Sequence, residues 1–210
     1  MLGLIRNHKI LQLCFHNPNI GEDIRDIYDY LKKIEQIILH NDWPGLEAFA
    51  TELAISLAGE KIANEIAKIN FDSYQDQLHE ALQQAISIAK KQKAFAVYFE
   101  YDFDNDWQSH FFICQDYVAR EQAEQEGDDW ACDYDIKNVV NGPDFSLLSG
   151  LYKKNGFFNS TRVAVGSTIL LIARTVAAFG RVCEKIACDN IAICIAFHGQ
   201  DPIFRIKERL

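Results

Sequence analysis

The clearest alternation of hydrophobic and polar positions runs from Phe95 to Phe103. A period of two residues is typical of a β-strand that buries one face. The odd-numbered positions form an apolar face of Phe95, Val97, Phe99, Tyr101 and Phe103. The even-numbered positions form the other face, which holds Ala96, Tyr98, Glu100 and Asp102. The pattern therefore predicts a strand with one aromatic face and one acidic face.

A second stretch rich in aromatic residues, from Trp107 to Cys114, follows closely along the chain. The residues between the two stretches, Asp104-Asn105-Asp106, have a composition that is typical of turns. We therefore predict a β-hairpin whose acidic side carries the best clue to function.

Three amphipathic helices are predicted before this hairpin, because apolar residues recur there at intervals of three and four. The first covers about residues 24–38. The second begins near Asp42, which suits a helix N-cap, and has Pro44 in its first turn. Gly59 interrupts it, and the third helix opens at Asp72.

A further alternating segment covers residues 130–136 and predicts another strand. If this strand joins the sheet of the hairpin, its register would place Asp133 and Asp135 beside Glu100 and Asp102. A slip of one residue would exchange the two faces of that strand and separate the carboxylates.

The last third of the chain is the most apolar part. Residues 163–179 follow a capping sequence, Asn159-Ser160-Thr161, and are apolar over most of a helix surface, which predicts a central buried helix. Residues 191–197 are a continuous apolar run, as in a strand covered on both faces, and residues 203–206 predict a last strand. The order of elements predicts an α+β fold, in which the N-terminal helices and a long buried C-terminal helix pack on a mainly antiparallel sheet. The length of 210 residues predicts a single domain, 1–210.

The sequence predicts a cytoplasmic protein with no membrane partner. The N-terminal apolar run is interrupted by Arg6, His8 and Lys9 and does not resemble a signal peptide. The apolar run 163–179 contains Arg174 and is shorter than a membrane span. Six cysteines are too few for a disulfide scaffold, so we expect reduced and mostly buried thiols.

The net charge of −9 is concentrated in one part of the chain. Residues 98–136 hold twelve acids and one base, whereas the remaining residues hold 18 acids and 20 bases. Such a surface repels a nucleic-acid backbone and attracts a basic partner or a cation.

The spacing of these acids does not match a known metal-binding motif. Asp102-x-Asp104-x-Asp106 resembles the start of a calcium loop, but Trp107 and Ile113 stand where such a loop needs glycine and glutamate. Without a tight ligand motif, we expect a charged surface and no metal or other cofactor.

A metal-dependent hydrolase remains an alternative. It would use a divalent cation held by clustered carboxylates and a histidine. The residues for such a site would be Glu100, Asp102, His110, Asp133 and Asp135. His198, which follows the buried strand 191–197, lies where an active-site loop could occur or where a plain turn would suffice.

The combination of an acidic α+β domain, no catalytic motif and a tryptophan-bearing acidic sheet segment resembles the immunity proteins of bacterial toxin–immunity systems, including contact-dependent growth inhibition. The segments that carry the resemblance are YFEYDFDNDWQSHFFIC (98–114) and DDWACDYD (128–135). The resemblance implies an inhibitor, with no enzymatic activity, that blocks a cognate basic toxin through complementary charge.

The predicted contact set consists of the acids of the two segments and their tryptophans. It comprises Glu100, Asp102, Asp104, Asp106, Trp107, Asp128, Asp129, Trp130, Asp133 and Asp135. The tryptophans could instead be core residues of the aromatic face, and a non-enzymatic acidic adaptor for another basic partner remains a further alternative.

Overall fold

The computed structural model describes residues 27–127, 131–132, 138–156, 159–188, 190–200 and 203–209. Within these ranges the chain forms seven helices and five strands. The helices are α1 (Ile27–Ile38), α2 (Trp43–Ala58), α3 (Glu60–Ala67), α4 (Asp72–Gln92), α5 (Arg120–Glu126), α6 (Ser146–Lys154) and α7 (Arg162–Glu184). The strands are β1 (Ala96–Asp102), β2 (Gln108–Cys114), β3 (Val139–Asn141), β4 (Ala192–Phe197) and β5 (Phe204–Lys207).

The strands form a sheet in the order β3-β2-β1-β4-β5. β1 pairs in parallel with β4, and the other three pairings are antiparallel. The predicted α+β fold with a mainly antiparallel sheet is therefore confirmed. The predicted hairpin is also confirmed, because β1 and β2 pair with Glu100 opposite His110 and Asp102 opposite Gln108.

Local capping explains where several helices begin. The side chain of Asp42 accepts a hydrogen bond from the Gly45 backbone N–H, and that of Thr161 accepts one from the Ala164 N–H. These bonds satisfy backbone donors that have no partner inside the helix. Gly59 separates α2 from α3 with a φ of 90°, a conformation that suits glycine.

The fold is built around α7, of whose 23 residues 18 are buried. It packs on α2 on one side and on the sheet on the other, where the rings of Phe179 and Phe99 stack with centroids 4.7 Å apart. α7 is the one described helix with the length and hydropathy of a membrane span, but 89% of its most apolar window is buried inside the protein. This burial matches the core helix of a soluble protein.

The two faces of the sheet are covered differently. The predicted apolar face of β1 is confirmed from Val97 to Phe103, which belong to the main core beneath the helices, while Phe95 is 36% exposed. The other face of β1 carries Glu100 and Asp102 toward the hairpin turn, as predicted. Its first half is covered by a second apolar cluster of Ala96, Tyr98, Phe112, Cys114, Ala131, Cys132, Ala192, Cys194, Ala196 and Ile203.

The strand predicted at residues 130–136 is not seen in the two residues of that segment that the structure describes, Ala131 and Cys132. The other five residues of that segment lie outside the described ranges. The edge strand beside β2 is β3, which pairs Asn141 with His110. The sequence around Asn141 has turn composition, which hides this short strand.

Close packing between α2 and α7 gives a test of the fold. A Cβ atom added to Gly180 would overlap the indole ring of Trp43, which is held in place by a 2.7 Å hydrogen bond from its Nε1 to Glu184. We expect Gly180→Ala to lower the free energy of unfolding by about 1–3 kcal/mol through overpacking.

Gly150 in α6 is a matched control, because a Cβ atom there meets no atom within 4 Å. Gly150→Ala should raise stability by about 0.5–1 kcal/mol, as alanine favours helix. Denaturant unfolding of both variants measures the difference, and equal stability of the two would contradict the packing.

Candidate functional site

The hairpin turn is held together by an acidic side chain. Asp102 lies at the end of β1, and its carboxylate accepts hydrogen bonds from the Asp104 backbone N–H at 2.9 Å and from the Asn105 side-chain amide at 2.7 Å. Aspartate commonly organises turns in this way. Asp102 therefore shapes the turn, and its carboxylate is already engaged in hydrogen bonds within the turn.

Trp107 lies beneath the turn with no exposed surface. Its indole N–H donates a 3.2 Å hydrogen bond to the Thr175 hydroxyl on α7, and its ring stacks on Tyr101 with centroids 5.5 Å apart. The structure thus favours the core alternative for Trp107, which anchors the turn to α7 and offers no surface to a partner.

Glu100 connects the hairpin with the end of β4. Its carboxylate accepts a 3.0 Å hydrogen bond from the Tyr98 hydroxyl, and the other oxygen lies 3.1 Å from His198 Nδ1. Because β1 and β4 are parallel, their carboxyl ends meet at one edge of the sheet, where the His198 backbone N–H donates to the Tyr101 carbonyl at 2.8 Å. The Glu100 side chain is 15% exposed and that of His198 is 66% exposed.

A shallow depression of about 250 Å³ opens beside these groups. We call it the hairpin depression, and it is lined by Glu100, Tyr101, Asp102, Asn105, Gln108, His110 and Phe112. The structure therefore brings together Glu100, Asp102 and His110, as the sequence predicted. However, no group of three His, Cys, Asp or Glu side chains in the described residues is arranged to hold a metal ion.

Two further predicted contact residues project from the turn itself. Asp104 and Asp106 are exposed, and Asp106 forms an exposed ion pair with Lys153 on α6 at 3.3 Å. Exposed pairs of this kind contribute little stability, since water screens them. The Asp106 carboxylate can therefore exchange this lysine for another cation at small cost.

The acids of α5 lie elsewhere. The helix begins at Arg120, whose backbone N–H donates to Glu208 beyond the end of β5. Lys207 on β5 pairs with Ile193 on β4, and Ile193 pairs in turn with Val97 near the start of β1. α5 thus starts at the opposite end of the sheet from the turn, and its acids do not extend the hairpin site.

The remaining predicted contact residues cannot be assigned to this site. Asp128, Asp129, Trp130, Asp133 and Asp135 lie outside the described residues. The contact of His198 with Glu100 joins positions 98 residues apart. The feature of the sequence that indicated a role for His198 is its position directly after the wholly apolar strand β4.

Comparison of the chain with protein-family models, with curated proteins and with solved structures finds no match.

The buried position of Trp107 generates a prediction. Trp107→Phe should lower the free energy of unfolding by about 1–3 kcal/mol, because it removes buried volume and leaves the Thr175 hydroxyl without its donor. The exposed substitution Asp104→Asn, three residues away, should change stability by less than about 0.5 kcal/mol. Thermal or denaturant unfolding measures both, and a neutral Trp107→Phe would contradict a core role.

Proposed function

We propose that this protein is an immunity protein, which binds a cognate basic toxin domain through the hairpin site and neutralises it without catalysis. The observation that carries the proposal is the set of acidic side chains at the hairpin turn, fixed in position by a buried aromatic core. Burial of Trp107 holds the turn backbone in place, which limits the conformational freedom that is lost when a partner binds.

The hairpin depression, of about 250 Å³, carries the carboxylates of Glu100 and Asp102 in its lining, which favours a basic side chain as its occupant. It offers room for one long basic side chain beside Glu100 and Asp102. A lysine or arginine inserted there would make charge-assisted hydrogen bonds with these carboxylates.

The exposed acids would act before contact. Asp104 and Asp106 project from the turn and create a negative potential that steers a basic protein toward the hairpin. A toxin groove that binds nucleic acid or another anionic substrate would be blocked when its basic side chains are occupied.

The metal-dependent hydrolase is supported less well than the immunity protein. Glu100, Asp102 and His110 line one depression but do not form a three-ligand group.

The proposed location is the cytoplasm, where a toxin that acts on cellular components would be intercepted. The five described cysteines are all free and buried, as a reducing compartment allows.

Charge reversal at the turn tests the proposal. We propose that the toxin is a basic C-terminal domain of a secreted protein encoded by the neighbouring gene, and the test produces that domain in bacterial cells together with each variant. Asp104→Lys with Asp106→Lys should abolish protection against the toxin. It should also weaken the measured Kd by about tenfold or more, equivalent to about 1.4 kcal/mol, and reduce the salt dependence of association.

A matched control carries the same change of charge on another surface. Glu52→Lys with Glu80→Lys alters two exposed acids on α2 and α4 and should retain protection. Circular dichroism establishes that both double variants fold. Full protection by the turn variant, or equal loss in the control, would overturn the proposed site; tight binding without protection would indicate an adaptor instead.

A further inference from the structure

Three cysteines from separate parts of the chain meet on the outer face of the sheet. Cys114 on β2 and Cys194 on β4 lie on either side of β1, opposite Ala96 and Tyr98 respectively. Cys132 belongs to the same buried cluster on this face, and its thiol interacts with both other thiols. All three side chains are at most 1% exposed.

A backbone hydrogen bond helps to hold Cys132 over the sheet. The Val118 N–H donates to the carbonyl of Ala131 at 2.7 Å, directly before Cys132. The Val118 carbonyl in turn accepts two hydrogen bonds, of 3.1 and 3.2 Å, from the guanidinium of Arg205. Arg205 is the β5 partner of Cys194, so its positive charge lies on the face that carries the thiols.

The surroundings of Cys132 favour its thiolate. Hydrogen bonds from Cys114 and Cys194 lower the pKa of Cys132 below its usual range. Burial and the charge of Asp116 oppose this shift, and the charge of Arg205 supports it. Hydrogen bonding to Cys132 and burial raise the pKa of the other two thiols. Reactive cysteines in proteins combine a low pKa and a nearby cation with access to solvent. Cys132 is 1% exposed, so peroxide has to reach it during local opening of the cluster.

We propose that Cys132 is a redox-active cysteine, which forms a reversible disulfide with either Cys114 or Cys194 when the protein meets hydrogen peroxide. This modification site is independent of the proposed immunity function.

The sheet geometry makes Cys132 the required member of any such bond. β2 and β4 are separated by β1, so their backbones lie about two strand spacings, or roughly 9.6 Å, apart. A disulfide needs Cα atoms within about 7 Å. Cys114 and Cys194 therefore cannot join each other while the sheet is intact, whereas Cys132 contacts both.

The chemistry balances with peroxide as the oxidant. The Cys132 thiolate attacks one peroxide oxygen, the O–O bond breaks and hydroxide leaves, which gives a sulfenic acid. The neighbouring thiol then attacks the sulfenic sulfur, the S–O bond breaks, and the thiol proton leaves with the hydroxyl group as water. Overall the two thiols lose two electrons and two protons, and peroxide is reduced to two waters.

Cys183 provides an internal comparison. It is fully buried in α7, and burial raises its pKa well above the usual range, so it should be inert toward peroxide. Among the described cysteines, Cys183 is thus as buried as Cys132 but lacks the two thiols that hydrogen-bond to Cys132.

The experiment treats the folded full-length chain with hydrogen peroxide, alkylates the remaining thiols, digests the chain without reduction and maps the peptides by mass spectrometry. We expect a cross-linked peptide that joins Cys132 to Cys114 or Cys194, is two hydrogens lighter than the separate peptides and is released by dithiothreitol. Cys132→Ser should abolish it, and Cys183→Ser should leave it unchanged. Cys114→Ser and Cys194→Ser should each leave only the bond to the other partner.

The opposite results overturn the proposal. One is that all three thiols of the native chain stay free for alkylation under peroxide conditions that oxidise the urea-unfolded chain. The other is that folded Cys132→Ser forms a bond between Cys114 and Cys194. A second measurement needs no variant: in the folded chain at pH 7, Cys132 should react with iodoacetamide at least tenfold faster than Cys183. Equal rates would contradict an activated Cys132.

Discussion

Burial of α7 is the constraint on which the rest of the structure depends. An apolar helix of this length is stable in water only when other elements cover almost its whole surface, because exposed apolar area is costly. α2 covers one side and the sheet covers the other, where Phe99 meets Phe179. The hairpin is fixed by the same contact surface, since Trp107 reaches Thr175 on α7. The acidic turn is thus displayed on a rigid support.

Much of this architecture follows from local pattern. Alternation predicted β1, the capping residues Asp42 and Thr161 marked two helix starts, and the apolar stretch at 163–179 identified the central helix. The short strand β3 could not be predicted, because three residues beside a turn sequence carry no periodic signal. The cover over Ala96 and Tyr98 was also missed, since it depends on contacts between distant segments.

The candidate site likewise has parts that local pattern indicated and parts that depend on distant contacts. The sequence grouped Glu100, Asp102 and His110 only in the hydrolase alternative, and the pairing of β1 with β2 brings them into one depression. It could not place His198 against Glu100, which requires the parallel pairing of β1 and β4. It left the role of Trp107 open, because alternation places a side chain on a face without showing what covers that face. The three cysteines on the outer face likewise meet only after the sheet is assembled.

The proposed inhibitor role requires that a toxin domain bind at the hairpin turn and leave the helical side of the protein free. Hydrogen exchange of the chain, measured alone and in complex with the toxin domain that it neutralises, tests this claim most directly. The account predicts that slowed exchange on binding is concentrated at residues 102–106, with α2, α3 and α4 unchanged. Protection concentrated on those helices, with the turn unchanged, would contradict the account.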